Sequence, residues 1–251
     1  RLTDGRVLVA GGDTGFGQYV IPTQLYDSAS GTWTLAGDID GAMSDFVMAR
    51  FAGGVIAAGR DVNSIGRTQC FASSPPRWHR DAPPCNLDSS GEAYGGLMAM
   101  PDGRLLLVGT VADRIFDQAQ GAWASITATG PGFNFVAGIL GSGLPVITGG
   151  GGSGNGIFTF DGFSVVTDGA TASETERVDA ASTLLAHGPL LVAGGESGSP
   201  PIHYLTMDVI SDGASPATSR KPVFQVASPI QPDTVVTLTG AGFIGNTEAS
   251  W

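Results

Sequence analysis

Asp4-Gly-Arg-Val-Leu-Val-Ala-Gly-Gly12, followed by Leu25-Tyr-Asp27 and Gly31-Thr-Trp33, is the phrase on which the fold of this 251-residue chain turns. Its first part recurs as Gly53-Gly-Val-Ile-Ala-Ala-Gly59, Gly103-Arg-Leu-Leu-Leu-Val-Gly109, Gly143-Leu-Pro-Val-Ile-Thr-Gly-Gly150 and Gly188-Pro-Leu-Leu-Val-Ala-Gly-Gly195. Each copy is a short, mostly apolar run closed by glycine. An aromatic follows at Tyr26, Phe71, Phe116 and Phe160, in steps of 45, 45 and 44 residues. A second aromatic follows at Trp33, Trp78, Trp123 and Phe163, in steps of 45, 45 and 40. Three markers that keep one order and one period identify an internal repeat.

Each repeat reads as an antiparallel meander of four strands. The first is an apolar run such as Phe46 to Phe51, Gly95 to Met100, Phe133 to Leu140 or Ala180 to His187. A glycine-bearing turn leads to the glycine-ended strand, which is apolar at nearly every position, as expected for a strand buried on both faces. The third strand ends in aromatic-Asp, and a short turn delivers the fourth. Aromatics at a fixed phase fill the space between neighbouring sheets. Sheets of this kind arranged radially, at about 40–50 residues each, make a β-propeller.

The apolar strand, the glycine pair, Tyr-Asp and then a tryptophan resemble the kelch repeat. The resemblance covers residues 1–212, in units of about 1–42, 43–92, 93–131, 132–178 and 179–212. It departs from the pattern at Gly109-Thr110 and at Phe163. Kelch propellers usually close with six or seven blades. The expected fold is therefore all-β: about five four-stranded blades, the first lacking its innermost strand, that form part of a larger kelch-type propeller or an open arc, the alternative being a closed five-blade ring. Residues 213–222 read as a Pro/Ser/Ala-rich linker. Residues 223–251 include Pro232-Asp-Thr-Val-Val-Thr-Leu-Thr-Gly-Ala-Gly-Phe243, which resembles the opening of an Ig-like early-set (IPT/TIG-type) sandwich, incomplete at this length.

Composition narrows the function. Only 14% of residues are charged and the net charge is −11, which argues against nucleic acid and anionic membranes as partners. No apolar run reaches the length of a membrane span. Cys70 and Cys85 are candidates for one disulfide, the alternative being two buried thiols. A disulfide implies an oxidising compartment, so the chain reads as secreted, periplasmic or cell-surface.

Resemblance to galactose-oxidase-like propellers implies a copper site of two tyrosines and two histidines, chemistry suited to Cu(II). The chain has three histidines, His79, His187 and His203, and the repeat assigns no two of them to one mouth. Neither a hydrolase elbow nor a metalloprotease helix motif occurs. Gly149 to Gly156 lacks the lysine and helix of a phosphate cradle. The reading therefore assigns no catalytic residue, metal or cofactor. The leading expectation is a binding module for a glycan or protein. The alternative is a copper oxidase whose ligands lie outside this segment.

In a meander, the connections from second to third strand and from unit to unit emerge at one end, and such loops carry recognition on a rigid scaffold. The first set comprises Asp13 to Tyr19, Arg60 to Ser64, Gly151 to Asn155 and Glu196 to Pro201. The second comprises Gly37 to Met43, Asp81 to Tyr94, Thr127 to Gly132 and Asp168 to Asp179. Asp13, Phe16, Tyr19, Arg60, Asn63 and Glu196 are the candidate ligand contacts.

Overall fold

A computed structural model describes residues 1–11, 20–41, 43–52, 54–126, 132–152, 157–160, 162, 165–167, 178–185, 188–197, 202–203 and 207–211. Every regular element among them is a β-strand. The first sheet runs β1 (Val7–Val9), β2 (Pro22–Asp27), β3 (Thr32–Asp38). The second runs β4 (Met43–Phe51), β5 (Gly54–Asp61), β6 (Ile65–Ser73), β7 (Pro76–His79), with β8 (Asp88–Ser90) added beside the start of β6. The third is β9 (Tyr94–Ala99), β10 (Leu105–Gly109), β11 (Asp113–Asp117), β12 (Ala122–Ile126). The fourth is β13 (Gly132–Ile139), β14 (Pro145–Gly152), β15 (Ile157–Phe160), β16 (Val165–Thr167). The fifth begins with β17 (Ala181–Leu184) and β18 (Leu190–Ala193). A small hairpin of β19 (Glu196–Ser197) and β20 (Ile202–His203) intervenes before β21 (Met207–Ile210) pairs with β18. All pairings are antiparallel, and no sheet among the described residues closes on itself.

The sheets stack face to face, and the second strand of each shows why its sequence is so apolar. Side chains alternate sides along a strand. Val55 and Ala57 of β5 pack with Leu8, Leu25 and Ala36 of the first sheet. Ile56 and Ala58 pack with Leu97, Leu105 and Leu107 of the third. Leu106 and Val108 face Phe135, Ile147 and Phe158 of the fourth, and Val146 faces Leu190 and Val192 of the fifth. Four separate cores thus lie between five successive sheets, and a second strand with a sheet on either side has no wet face. The first strands β4, β9, β13 and β17 also touch in succession, β4 with β9, β9 with β13 and β13 with β17.

The aromatic markers are cross-strand pairs. Tyr26 lies opposite Trp33, Phe71 opposite Trp78 and Phe116 opposite Trp123, with ring centroids 5.0, 5.3 and 5.4 Å apart. In two units the turn between them is built identically. Asp27 and Asp117 accept the N–H of Ala29 and Ala119 through a side-chain oxygen, and their carbonyls accept the N–H of Gly31 and Gly121, both with positive φ. The sequence also repeats a bridge between sheets. Arg6 pairs with Asp4 at 2.6 Å and donates to the Ser73 carbonyl; Arg104 pairs with Asp102 at 2.7 Å and donates to the Gly162 carbonyl.

Four expectations need correction. The fourth sheet places Val165, not Phe163, opposite Phe160, because its aromatic partner spacing is five residues where earlier units have seven. Phe163 itself lies outside the described residues. The fifth sheet has three strands among the described residues rather than four, and the hairpin of β19 and β20, which holds His203, stands outside it. Residues Asp81 to Tyr94 are more than a loop, since they contain β8. The first strand of the second unit begins at Met43, three residues before Phe46. The segments 213–222 and 223–251 fall outside the described residues.

Candidate functional site

The loop end of the second and third sheets carries the most extensive polar network among the described residues. The β5–β6 turn is shaped by Asp61, whose Oδ1 accepts the N–H of Asn63 and of Ile65, both at 2.9 Å. Burial alone would raise the Asp61 carboxyl. These two N–H donors and Arg67, whose Nε lies 2.9 Å from Asp61 Oδ2, outweigh it and hold the group below the usual carboxylate range.

The connection that leaves β7 returns across the same end as a strap. Thr68 Oγ1 donates to the Pro84 carbonyl at 2.6 Å and accepts the Leu87 N–H at 2.9 Å. Arg80 donates to the carbonyls of Thr68 and Leu87 and pairs with Asp88. A disulfide joins Cys70 to Cys85, with both side chains buried. Trp123 Nε1 donates to the Pro84 carbonyl at 3.1 Å, so the third sheet also holds the strap. β8 then pairs with Ile65 to Arg67, and Gly91 donates to the Ser64 carbonyl.

The strap ends in Glu92, whose residue is 0% exposed. Its Oε1 accepts from the Val111 N–H at 2.8 Å and Thr110 Oγ1 at 3.3 Å. Its Oε2 accepts from the Ala112 N–H at 3.2 Å and Arg114 Nη1 at 3.1 Å. Arg114 Nη2 in turn donates to Ser89 Oγ at 2.8 Å. One carboxylate therefore fixes the β10–β11 turn to the strap of the preceding unit. Gly66 makes room for it: a Cβ there would sit 2.8 Å from a Tyr94 ring carbon and 2.9 Å from Glu92 Cβ.

Asp113, also fully buried, accepts the Gly109 N–H at 3.1 Å through Oδ1, while its Oδ2 has no hydrogen-bond partner among the described residues. Burial pushes its carboxyl up to about 6, with the Glu92 charge adding to the rise and the Gly109 N–H and Arg114 opposing it. The buried Tyr94 hydroxyl is pushed by burial up to about 12. Because the folded state favours neutral Asp113, its contribution to stability is full below about pH 4 and is lost as the pH rises through about 6. Asp113→Asn is isosteric and keeps an acceptor for Gly109. It is expected to be more stable than the parent at pH 7.5, by about 1–3 kcal/mol, and equal to it near pH 4. Urea unfolding across that range checks this, and a variant weaker at pH 7.5 would contradict it.

The sequence-chosen residues divide. Arg60 lies near the end of β5, opposite Ser44 and Gly66, and Asn63 is exposed in the adjoining turn. Glu196 stands three sheets along the stack, bridged to Val178 and paired with His203. Asp13, Phe16 and Tyr19 lie outside the described residues, as does His187. His79 Nδ1 lies 3.4 Å from an Asp81 carboxylate oxygen. Among the described residues no group of three His, Cys, Asp or Glu side chains could hold a metal ion. Glu92, Asp113 and Arg114 were not anticipated, yet the repeat held a signal. Thr23-Gln24 and Thr68-Gln69 occupy third-strand positions where the third unit has Asp113-Arg114. Thr23 and Thr68 are buried there too, each hydrogen-bonded to a carbonyl.

Compared with protein-family models and with curated proteins, the chain matches none.

Proposed function

We propose that the five sheets are an arc of a kelch-type β-propeller, whose full ring would hold six or seven blades. In this reading the protein is a non-catalytic recognition module of a secreted, periplasmic or surface-attached protein. Its loop end binds a glycan or protein. The observation that carries the reading is the loop end itself. There a disulfide, the Thr68 and Arg80 hydrogen bonds and the buried Glu92 immobilise the base of the 61–64 and 109–112 turns. Preorganised loops lose little freedom on binding, which favours recognition over a face that must order itself first.

Asn63, exposed in the turn, and Arg60, half-buried at the end of β5, are the proposed contacts, with Asp13, Phe16, Tyr19 and Glu196 as further candidates. The buried disulfide supports an oxidising compartment. The test is binding of the purified chain to glycan and peptide arrays, followed by the same measurement on Arg60→Ala combined with Asn63→Ala. Binding is expected to fall about tenfold or more, the size of one or two lost polar contacts, while the variant stays folded. Copper in stoichiometric amount together with alcohol-dependent peroxide production would overturn the reading.

A further inference from the structure

Gly109, the last residue of β10, lies between two fully buried carboxyl groups. Its N–H donates to Asp113 Oδ1 at 3.1 Å, and a Cβ on it would collide with Glu92 Oε1 and the Ala112 carbonyl oxygen. The two acids are served unequally. Glu92 accepts four donors, one of them the Arg114 guanidinium. Asp113 accepts Gly109, and its Oδ2 is buried without a hydrogen-bond partner among the described residues.

Alternation along β11 explains the difference. Ile115, on the same side of the strand as Asp113, packs with Ile147 and Phe158 of the fourth sheet. Arg114 turns to the other side, toward Glu92 and Ser89. Tyr94, opposite Gly109 on β9, packs on that second-sheet side as well. The strands flanking β11 bring no charge to Asp113, since β10 is Leu105–Gly109 and β12 is Ala122–Ile126. Residues 118–160, which hold β12 to β15, contain no Asp, Glu, Lys, Arg or His at all. The charges near Asp113 are therefore Glu92 from the strap and Arg114 from its own strand, and one guanidinium serves two acids. A buried carboxylate without a cation of its own takes up a proton instead. Burial is accordingly the largest cause of the raised Asp113 carboxyl, and the Glu92 charge adds to it.

An ionised Asp113 needs water, and the turn beside it gives way more readily than the sheets. Thr110 and Val111 are exposed, Val111 by 66%, whereas Ile147 and Phe158 are buried core. We infer that the 109–112 turn is a proton-held latch: with Asp113 neutral the turn sits closed on Glu92, and with Asp113 ionised it opens to let water reach the carboxylate. The turn belongs to the loop end, so control of recognition by the latch rests on the recognition reading given above, while the latch itself does not. Binding at that end is expected to be tighter in mildly acidic surroundings, where the turn is preorganised.

Amide hydrogen exchange of the 251-residue chain, without ligand, tests the latch between about pH 4 and 7.5, each rate taken relative to an unprotected amide at the same pH. The Val111 and Ala112 N–H groups bond Glu92 while the turn is closed and so report its opening. The closed turn holds the Asp113 proton more tightly than the open one, so acid favours closure. Opening is expected to rise up to about tenfold per pH unit above the ordinary carboxylate value and to level off beyond about 6, about a hundredfold in all. Low concentrations of urea should leave this exchange unchanged, because a local opening exposes little surface. Asp113→Asn, which does not ionise, is expected to keep constant protection across the range. The proposal is overturned by protection at Val111 and Ala112 that ignores pH in the parent, that falls equally in Asp113→Asn, or that is lost only through urea-sensitive global unfolding. Array binding is read separately, so a chain that takes neither glycan nor peptide counts against the recognition reading and not against the latch.

Discussion

Glu92→Ala is expected to lower the unfolding free energy by about 3–5 kcal/mol, the usual cost of breaking a buried ion pair by removing one partner. The alanine strands the Arg114 guanidinium, whose side chain is 13% exposed, without its carboxylate. It also leaves the Val111 and Ala112 N–H groups without the acceptor that the fold supplies. A buried donor without a partner costs on the order of 1–3 kcal/mol, so charge and backbone act in the same direction. Glu92→Gln separates the two contributions. It keeps the volume and one carbonyl oxygen, but its amide NH₂ must meet either the Val111 and Thr110 donors or the Ala112 and Arg114 donors. Its loss is expected to be smaller, about 1–3 kcal/mol. Chemical denaturation of the two variants and of Arg114→Leu reads these values. A double-mutant cycle between Glu92→Ala and Arg114→Leu should return strong coupling, because leucine removes the stranded charge. If Glu92→Ala unfolded at the parent's denaturant midpoint, the carboxylate would not be anchoring the turn.

Strand order and burial were readable because both leave periodic marks. A second strand flanked by sheets must be apolar at every position, and runs such as Leu105 to Val108 can serve little else. The aromatic pairs were readable wherever the hairpin kept its length. Phe160 failed for that reason: its hairpin is shorter by two residues, so a fixed spacing overshoots to Thr167, and the nearest following aromatic, Phe163, is not the position paired with it, which is Val165. The strap was not readable, since residues 80–93 have no counterpart among the described residues of the other units. Its strand β8 is defined by the partner it meets, Ile65 to Arg67, rather than by any apolar alternation of its own. Glu92 was missed for a related cause. A single acidic residue before an apolar strand looks solvated until the turn that surrounds it is known. Only the departure from Thr-Gln to Asp-Arg in the third unit pointed there, and it required aligning the repeats position by position.

Polar residues and apolar residues divide the work between sheets 2 and 3. Ile56, Ala58, Leu97 and Leu107 fill the space between them, a contact without direction that would tolerate a shift of the sheets along one another. The hydrogen bonds of Glu92, Arg114 and Trp123 across the same boundary do not tolerate it, since each has a fixed donor and acceptor. On this argument the polar end sets the register of the loops, and the apolar core supplies most of the free energy that keeps the sheets together.

Removing the disulfide is expected to cost about 3 kcal/mol, the chain-entropy value for a closed loop of some fifteen residues. Cys70 and Cys85 are 15 residues apart, and the loop they close contains the β6–β7 hairpin and the first half of the strap. The paired variant Cys70→Ala with Cys85→Ala is the proper comparison, because a single replacement leaves a reactive thiol in the core. The loss has a position as well as a size. The Thr68 and Trp123 bonds to the Pro84 carbonyl still hold the strap from two sides, so the sheets are expected to keep their stacking. Local opening should rise instead in residues 82–93. Hydrogen exchange is expected to report faster amide exchange at Cys85 and Gly91, whose N–H groups bond the Ala82 and Ser64 carbonyls. Exchange at Ile56 and Leu106, on strands buried between sheets, should quicken only as far as the global loss of stability requires. Uniform acceleration across all five sheets would mean that the bond stabilises the whole fold only through its unfolded state, with no special hold on the strap.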